Sequence, residues 1–215
     1  MNWTVIQENL PYLLRGTMST LIIASGVVVL GTSAGVVAGL LRFVPWTWLV
    51  TVTAWIVEFI RAIPLLLQIF FVFFALPALG LDLPPYPSAI LAMTLWMTAN
   101  TAEVVRGGIQ SIPRGQFEAA RSTGLSALQT MRHVIFPQAV RRMLPPFVGV
   151  CTILVKDTSL AAIIGVFELT RATQETIERT FSSFELYLTA AAIYFVICFP
   201  LTQFSQRAEA RLQRG

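Results

Sequence analysis

Thr17–Leu41, TMSTLIIASGVVVLGTSAGVVAGLL, contains no charged residue. A bilayer core is crossed by about 20 apolar residues in a helix, so this stretch reads as a membrane span. Gly31, Gly35 and Gly39 recur within it every four residues. Small side chains at that spacing lie on one helix face and let a neighbouring helix approach closely. The rest of the chain agrees with a membrane solvent. Of its 215 residues, 55% are hydrophobic and 12% charged, about half the charge of an ordinary soluble domain. The mean hydropathy is +0.71.

Outward from this span the pattern repeats. Arg42 and Pro45 make a short turn, and Trp46, Trp48 and Trp55 crowd the next entry, as aromatic rings do at a membrane interface. A second span is expected over 49–76, kinked at Pro64, which has no N–H to donate. The proline-rich loop Pro77–Pro87 leads to a third span over 88–109, polar for its position at Thr94, Thr98, Asn100, Thr101 and Glu103. Ile112-Pro113 ends that helix. Residues 110–142 form the longest segment placed outside the membrane, with a short helix expected over Gln116–Leu128. A fourth span over 144–167 reads as discontinuous: Leu144–Val155 and Leu160–Phe167 flank the polar Lys156-Asp157-Thr158-Ser159, a pattern of broken helices at binding sites and gates. A polar segment, Glu168–Ser183, precedes a fifth span over 184–204. The expected fold is an all-α membrane protein, one domain over residues 1–215, with about five spans. Glu8, Pro11 and Arg15 precede the first apolar run, which does not match a cleaved leader, so the first span is expected to be retained.

Orientation follows from the arginines. Five spans place Arg42, Arg106, Arg114, Arg121, Arg132, Arg141, Arg142, Arg207, Arg211 and Arg214 on one side. Arg15, Arg171 and Arg179 lie on the other, beside Glu8, Asp82, Glu168, Glu175 and Glu178. The positive-inside rule puts the first group in the cytoplasm, with the N-terminus outside and the C-terminus inside. The basic balance, net +4, is thereby explained without nucleic acid, because the basic residues sit at span ends and form no aromatic-interleaved patch.

Three charged pairs fall in or near the spans: Glu58/Arg61, Glu103/Arg106 and Lys156/Asp157. The first two are spaced i,i+3 and share a helix face. Charges at membrane depth are costly and turn toward a protein interior or a wet cavity. They suit a zwitterionic solute: Arg61 would hold its carboxylate, and Glu58, Glu103 or Asp157 its ammonium. The plain alternative is that they lock helices together. Cys151 and Cys198 lie in apolar runs with no Cys or His at metal-ligand spacing, so they read as packing residues and no metal site is expected. His133 has no evident catalytic partner. The chain has no Gly-rich loop ending in Lys-Ser/Thr, no Gly-x-Ser-x-Gly and no His-Glu-x-x-His. No cofactor is expected in this chain, and energy must come from an ion gradient or another subunit.

Glu118-Ala119-Ala120, three residues, Gly124, nine residues and then Val134-Ile135-Phe136-Pro137 resembles the EAA loop of ABC importer permeases, whose pattern is EAA, x3, G, x9, I-x-L-P. The spacing is intact; Val134 and Phe136 are apolar departures. Glu58–Gln68, Asn100–Ile109 and Lys156–Leu160 are similar to signatures of polar amino-acid permeases, with Ala62-Ile63 where Gly-Thr is frequent. This resemblance covers roughly Pro11 to Ala208. It implies a five-span permease of the bacterial inner membrane, paired with itself or with a sister permease. A dimer of ABC ATP-binding subunits would bind ATP, and an extracytoplasmic binding protein would deliver a polar amino acid. Glu118, Ala119, Ala120 and Gly124 would belong to a cytoplasmic coupling helix between spans three and four. Two other readings compete: a proton-coupled secondary transporter using Glu58, Glu103 or Asp157, and a membrane scaffold or sensor that moves no solute.

Overall fold

The computed structural model describes residues 3–213, and Arg214 of the basic tail lies outside the described residues. Among the described residues the chain is helical throughout, without strands. Helix α1 (Trp3–Leu41) is followed by α2 (Thr47–Ala62) and α3 (Leu65–Phe70). α3 runs through a π-helical turn, Phe71–Ala75, into a 3₁₀ turn, Leu76–Leu79. α4 (Pro85–Gln110), α5 (Arg114–Ser122) and α6 (Ala127–Thr130) come next. A second π-helical turn, Met131–Ile135, opens α7 (Phe136–Asp157), which ends in a 3₁₀ turn over Thr158–Ile164. α8 (Leu169–Thr180) and α9 (Ser183–Gln213) complete the chain.

Trp3–Leu41, Ala127–Ile164 and Ser183–Leu212 are each long and apolar enough to cross a membrane. Thr47–Ala62 and Leu65–Leu79 pass that test together, bent by 100° at the break. α4 has 26 residues, about 39 Å of helix, and coincides with the expected third span. It is less apolar because it is central: it packs on α1, α2, α3 and α7, so protein rather than lipid surrounds much of it.

The glycine face has the role its spacing predicts. A Cβ on Gly31 would lie 2.6 Å from Met97 Cβ, one on Gly35 2.5 Å from Thr101 Cβ, and one on Gly39 2.6 Å from Val105 Cβ. α1 and α4 therefore touch backbone to side chain along three turns. The core continues through Ile23, Val27, Leu65, Ile69, Met93, Met97 and Leu154.

Three expectations are corrected. The second span is not a kinked helix but two helices meeting at a right-angled elbow. Ile63 is extended (φ −94°, ψ 128°), as the residue before a proline is driven to be. The fourth span is not two half-helices: α7 is continuous through Lys156 and Asp157, and only its last part narrows to 3₁₀ before Gly165 turns left-handed at φ 85°. The short helix of the 110–142 segment stops at Ser122, since Gly124 takes φ 80°. A new helix then starts at Ala127 under a Ser126/Gln129 capping box, two donors satisfied reciprocally.

Candidate functional site

Glu103 is the centre of the charged site. It lies on the last turns of α4, and two helix ends deliver arginines to it. Arg42, just past α1, brings Nη1 to 3.4 Å from Glu103 Oε2. Arg61, one residue before the end of α2, brings Nη1 to 3.7 Å from the same oxygen and 3.4 Å from Glu58 Oε1. Arg106 clasps Glu103 with both arms: Nε donates to Oε2 at 2.8 Å and Nη2 to Oε1. Its Nη1 also donates to Gln110 Oε1. Such bidentate guanidinium–carboxylate pairs are the strong ones. Three guanidiniums face two carboxylates, so the cluster carries one uncompensated positive charge.

Two pairs that the sequence presented separately, Glu58/Arg61 and Glu103/Arg106, are thus one network. Arg42 joins it unforeseen, since its place beside Pro45 suggested only a turn. The side chain of Glu103 stays 22% exposed and faces an open groove of about 770 Å³, lined also by Gly107, Ser111, Arg142, Ser205 and Glu209. Gly108 lines it too, where α4 meets Met143 of α7: a Cβ there would be 2.3 Å from Met143 Cγ. Arg142 donates to the Ser111 carbonyl, so α7 is tied to the end of α4. Ser205 Oγ donates to the Pro145 carbonyl at 2.8 Å, which ties α9 to α7. Arg142 and Glu209 had no signal in the sequence beyond their charge.

Asp157 is not part of this arrangement. It ends α7 beside Lys156, and among the described residues no ion pair joins it to the Glu103 network. Lys156 lines a separate pocket with Tyr194, Phe195, Cys198, Phe199 and Thr202.

The α5 segment is the second site. Phe117 packs with Met131, Val134 and Ile135, and Gln138 Nε2 donates to Gln116 Oε1 at 3.1 Å. Ala120 is 5% exposed and so belongs to this seating. Glu118, Ala119 and Gly124 are exposed. The four residues therefore do not form one outward surface: Ala120 holds the helix against the body while Glu118 and Ala119 look away. Leu128 beside them is 77% exposed, an apolar side chain that no sequence argument singled out.

At the opposite end of α1, α8 makes a third cluster. Tyr12 donates to Glu175, Arg171 Nε donates to Glu175 Oε1 at 2.8 Å, and Arg179 lies 4.9 Å over the Tyr12 ring. The Tyr12 bond first, then Arg171 and Arg179, hold the Glu175 carboxyl below the usual range against an opposing effect of burial. Glu168 is fully buried and caps α8 by accepting from Arg171 N–H at 2.7 Å; burial pushes its carboxyl up.

Residues 29–214 match the family model described as binding-protein-dependent transport system inner membrane component. The chain is 41% identical over 209 residues to the probable glutamine ABC transporter permease protein GlnP of Bacillus subtilis, covering 95% of both chains. It is 38% identical over 218 residues to the glutamine transport system permease protein GlnP of Escherichia coli K12, covering 99% of this chain and 98% of the other. A solved chain of an amino acid ABC transporter with histidines superposes with a TM-score of 0.92 at 29% identity, over 98% of this chain and 99% of that one. The MetNI methionine ABC transporter in an inward-facing form shares the fold, with a TM-score of 0.75 at 19% identity.

Proposed function

The chain belongs to the family of binding-protein-dependent transport system inner membrane components, and on that premise we propose how it handles its solute. It is a membrane permease of an amino-acid ABC importer. Its role is to move substrate by alternating access, a rigid-body switch between packed arrangements. ATP binding and hydrolysis belong to a separate dimer of ATPase subunits, and a second permease, identical or sister, completes the path. An extracytoplasmic binding protein delivers the amino acid. The chain sits in the bacterial inner membrane with its N-terminus outside and its C-terminus in the cytoplasm, which the arginine distribution supports.

The substrate is a zwitterionic polar amino acid, with glutamine the first to test in view of the relatives. Arg61 engages its carboxylate, and Glu58 and Glu103 its ammonium. The observation that carries this reading is the convergence of Arg42, Arg61 and Arg106 on Glu103, a network with Glu58 that has one excess positive charge and whose Glu103 carboxylate lines the groove. Three arginines brought from separate helix ends to one carboxylate exceed what pairing with Glu103 alone requires. At the other station, Glu118, Ala119 and Gly124 form the outward side of the coupling elbow that the ATPase grips, with Ala120 as its seat. The proton-coupled alternative gains no support from the relatives.

The deciding experiment is uptake of radiolabelled glutamine by the complete importer in proteoliposomes. Arg61→Ala should leave the complex assembled and raise the KM for transport about tenfold or more, the loss of a charge-assisted hydrogen bond. Unchanged KM in an intact complex would remove Arg61 from the substrate site.

A further inference from the structure

The elbow between α2 and α3 is bridged by the side chain of Gln68. Pro64 cannot donate to the carbonyl of Ile60, four residues back, so the last turn of α2 loses a hydrogen bond. Ile63 N–H reaches Ile60 O at 3.4 Å only, a poor substitute. Gln68 repairs the break from the far side. Its Nε2 donates to Ile60 O at 2.8 Å and to Ile63 O at 2.9 Å. Both donors of one amide are thus spent on the final carbonyls of α2, while the Gln68 backbone belongs to α3, anchored by buried Leu65 and Ile69 in the core. A right angle bridged at both carbonyls by one side chain is a fixed bracket rather than a flexible hinge.

The bracket ends beside Arg61. Ile60 and Ile63 flank that residue, and Arg61 reaches Glu58 on its own helix and Glu103 on α4 with one nitrogen. These separations, 3.4 and 3.7 Å, are near the limit for an ion pair. A swing of the α2 end by an ångström would break the contact with Glu103. We propose that Gln68 is a positioning residue for substrate: its amide fixes the α2–α3 elbow and thereby sets the Arg61 guanidinium against Glu103 in the geometry that receives the amino-acid carboxylate. This rests on the substrate role given to Arg61 above.

The test is a double-mutant cycle on the whole importer in proteoliposomes, reading KM, Vmax and ATPase rate for glutamine uptake. Gln68→Leu keeps the bulk of the side chain and removes both donors. It should raise KM about tenfold, as loss of well-made hydrogen bonds can, with Vmax and the ATPase rate changing less than twofold. Gln68→Glu, nearly the same shape but an acceptor when ionised, should behave like Leu at neutral pH. In an Arg61→Ala background, Gln68→Leu should add nothing, since residues acting through one another are not additive. Wild-type KM in Gln68→Leu overturns the proposal and leaves the Arg61 reading intact. Equal multiplicative losses with and without Arg61 also overturn it, because they mark general weakening of the fold. An Arg61→Ala importer with normal KM instead sinks the substrate role of Arg61. If Gln68→Leu fails to assemble, Gln68→Glu and Gln68→Asn, whose arm is one methylene shorter, carry the same cycle.

Discussion

At the scale of single residues, the decisive side chains are polar groups that finish what the backbone leaves open. Glu103 accepts arginines from the ends of two other helices. Gln68 replaces the donor Pro64 lacks. Tyr12 and Arg171 secure Glu175 and so pin α8 to the start of α1. The last case makes a pH-dependent expectation. A carboxyl held below its ordinary value adds stability that is complete above that value and disappears as pH falls through the depressed one. Tyr12→Phe keeps the ring, 5.4 Å edge-on to Phe167, but removes the hydroxyl, the largest cause of the depression. The melting temperature of Tyr12→Phe should therefore lie below wild type at neutral pH, with the gap closing as the pH is taken below the carboxylate range. A gap that stays constant with pH would mean that the hydroxyl acts only through packing. Apart from the i,i+4 pair Arg171/Glu175, these partnerships could not be read from the sequence, because each joins residues far apart in the chain or depends on a backbone angle.

At the scale of elements, much was legible. The four-residue glycine spacing predicted close packing, and α1 and α4 meet along that face. Pro64 and Ile112-Pro113 marked real breaks. Two boundaries were misread for physical reasons. Lys156 and Asp157 looked like an interruption, yet they are the last two residues of α7, and helical backbone continues past them as the 3₁₀ turn Thr158–Ile164. The helix expected over Gln116–Leu128 had Gly124 inside it, but its φ of 80° and open surroundings make it the turn that ends α5. At such an angle an ordinary side chain costs about 1–2 kcal/mol from backbone strain. Gly124→Leu should therefore lower uptake per ATP hydrolysed, whereas Gly124→Asn, whose side chain tolerates left-handed backbone, should stay near wild type. Equal coupling ratios in wild type, Leu and Asn would detach this turn from energy transmission.

At the scale of the whole molecule, the arrangement of ends matters most. Residues 12, 86, 167 and 175 gather at one end, where Tyr86 donates to the Phe167 carbonyl at 2.9 Å. Arg42, Arg106, Ser111 and Arg142 gather toward the other. If the arginine-rich end is cytoplasmic, a cysteine placed at Ser122 should react with an impermeant maleimide only from the inner side, and one placed at Ser183 only from the outer. Labelling from the reverse sides would invert the proposed transport direction and the place of the ATPase. The sequence by itself determined the solvent and the class: long charge-free runs can satisfy their backbone in lipid only as helices, and the EAA spacing carried the family. Only the tertiary structure decided the site. It merged two i,i+3 pairs into one five-residue network, excluded Asp157 from it, bent the second span through a right angle, and turned Ala120 inward. Hydropathy and spacing act along one helix, whereas a site is made where several helices end in the same place, and that meeting point is set by packing.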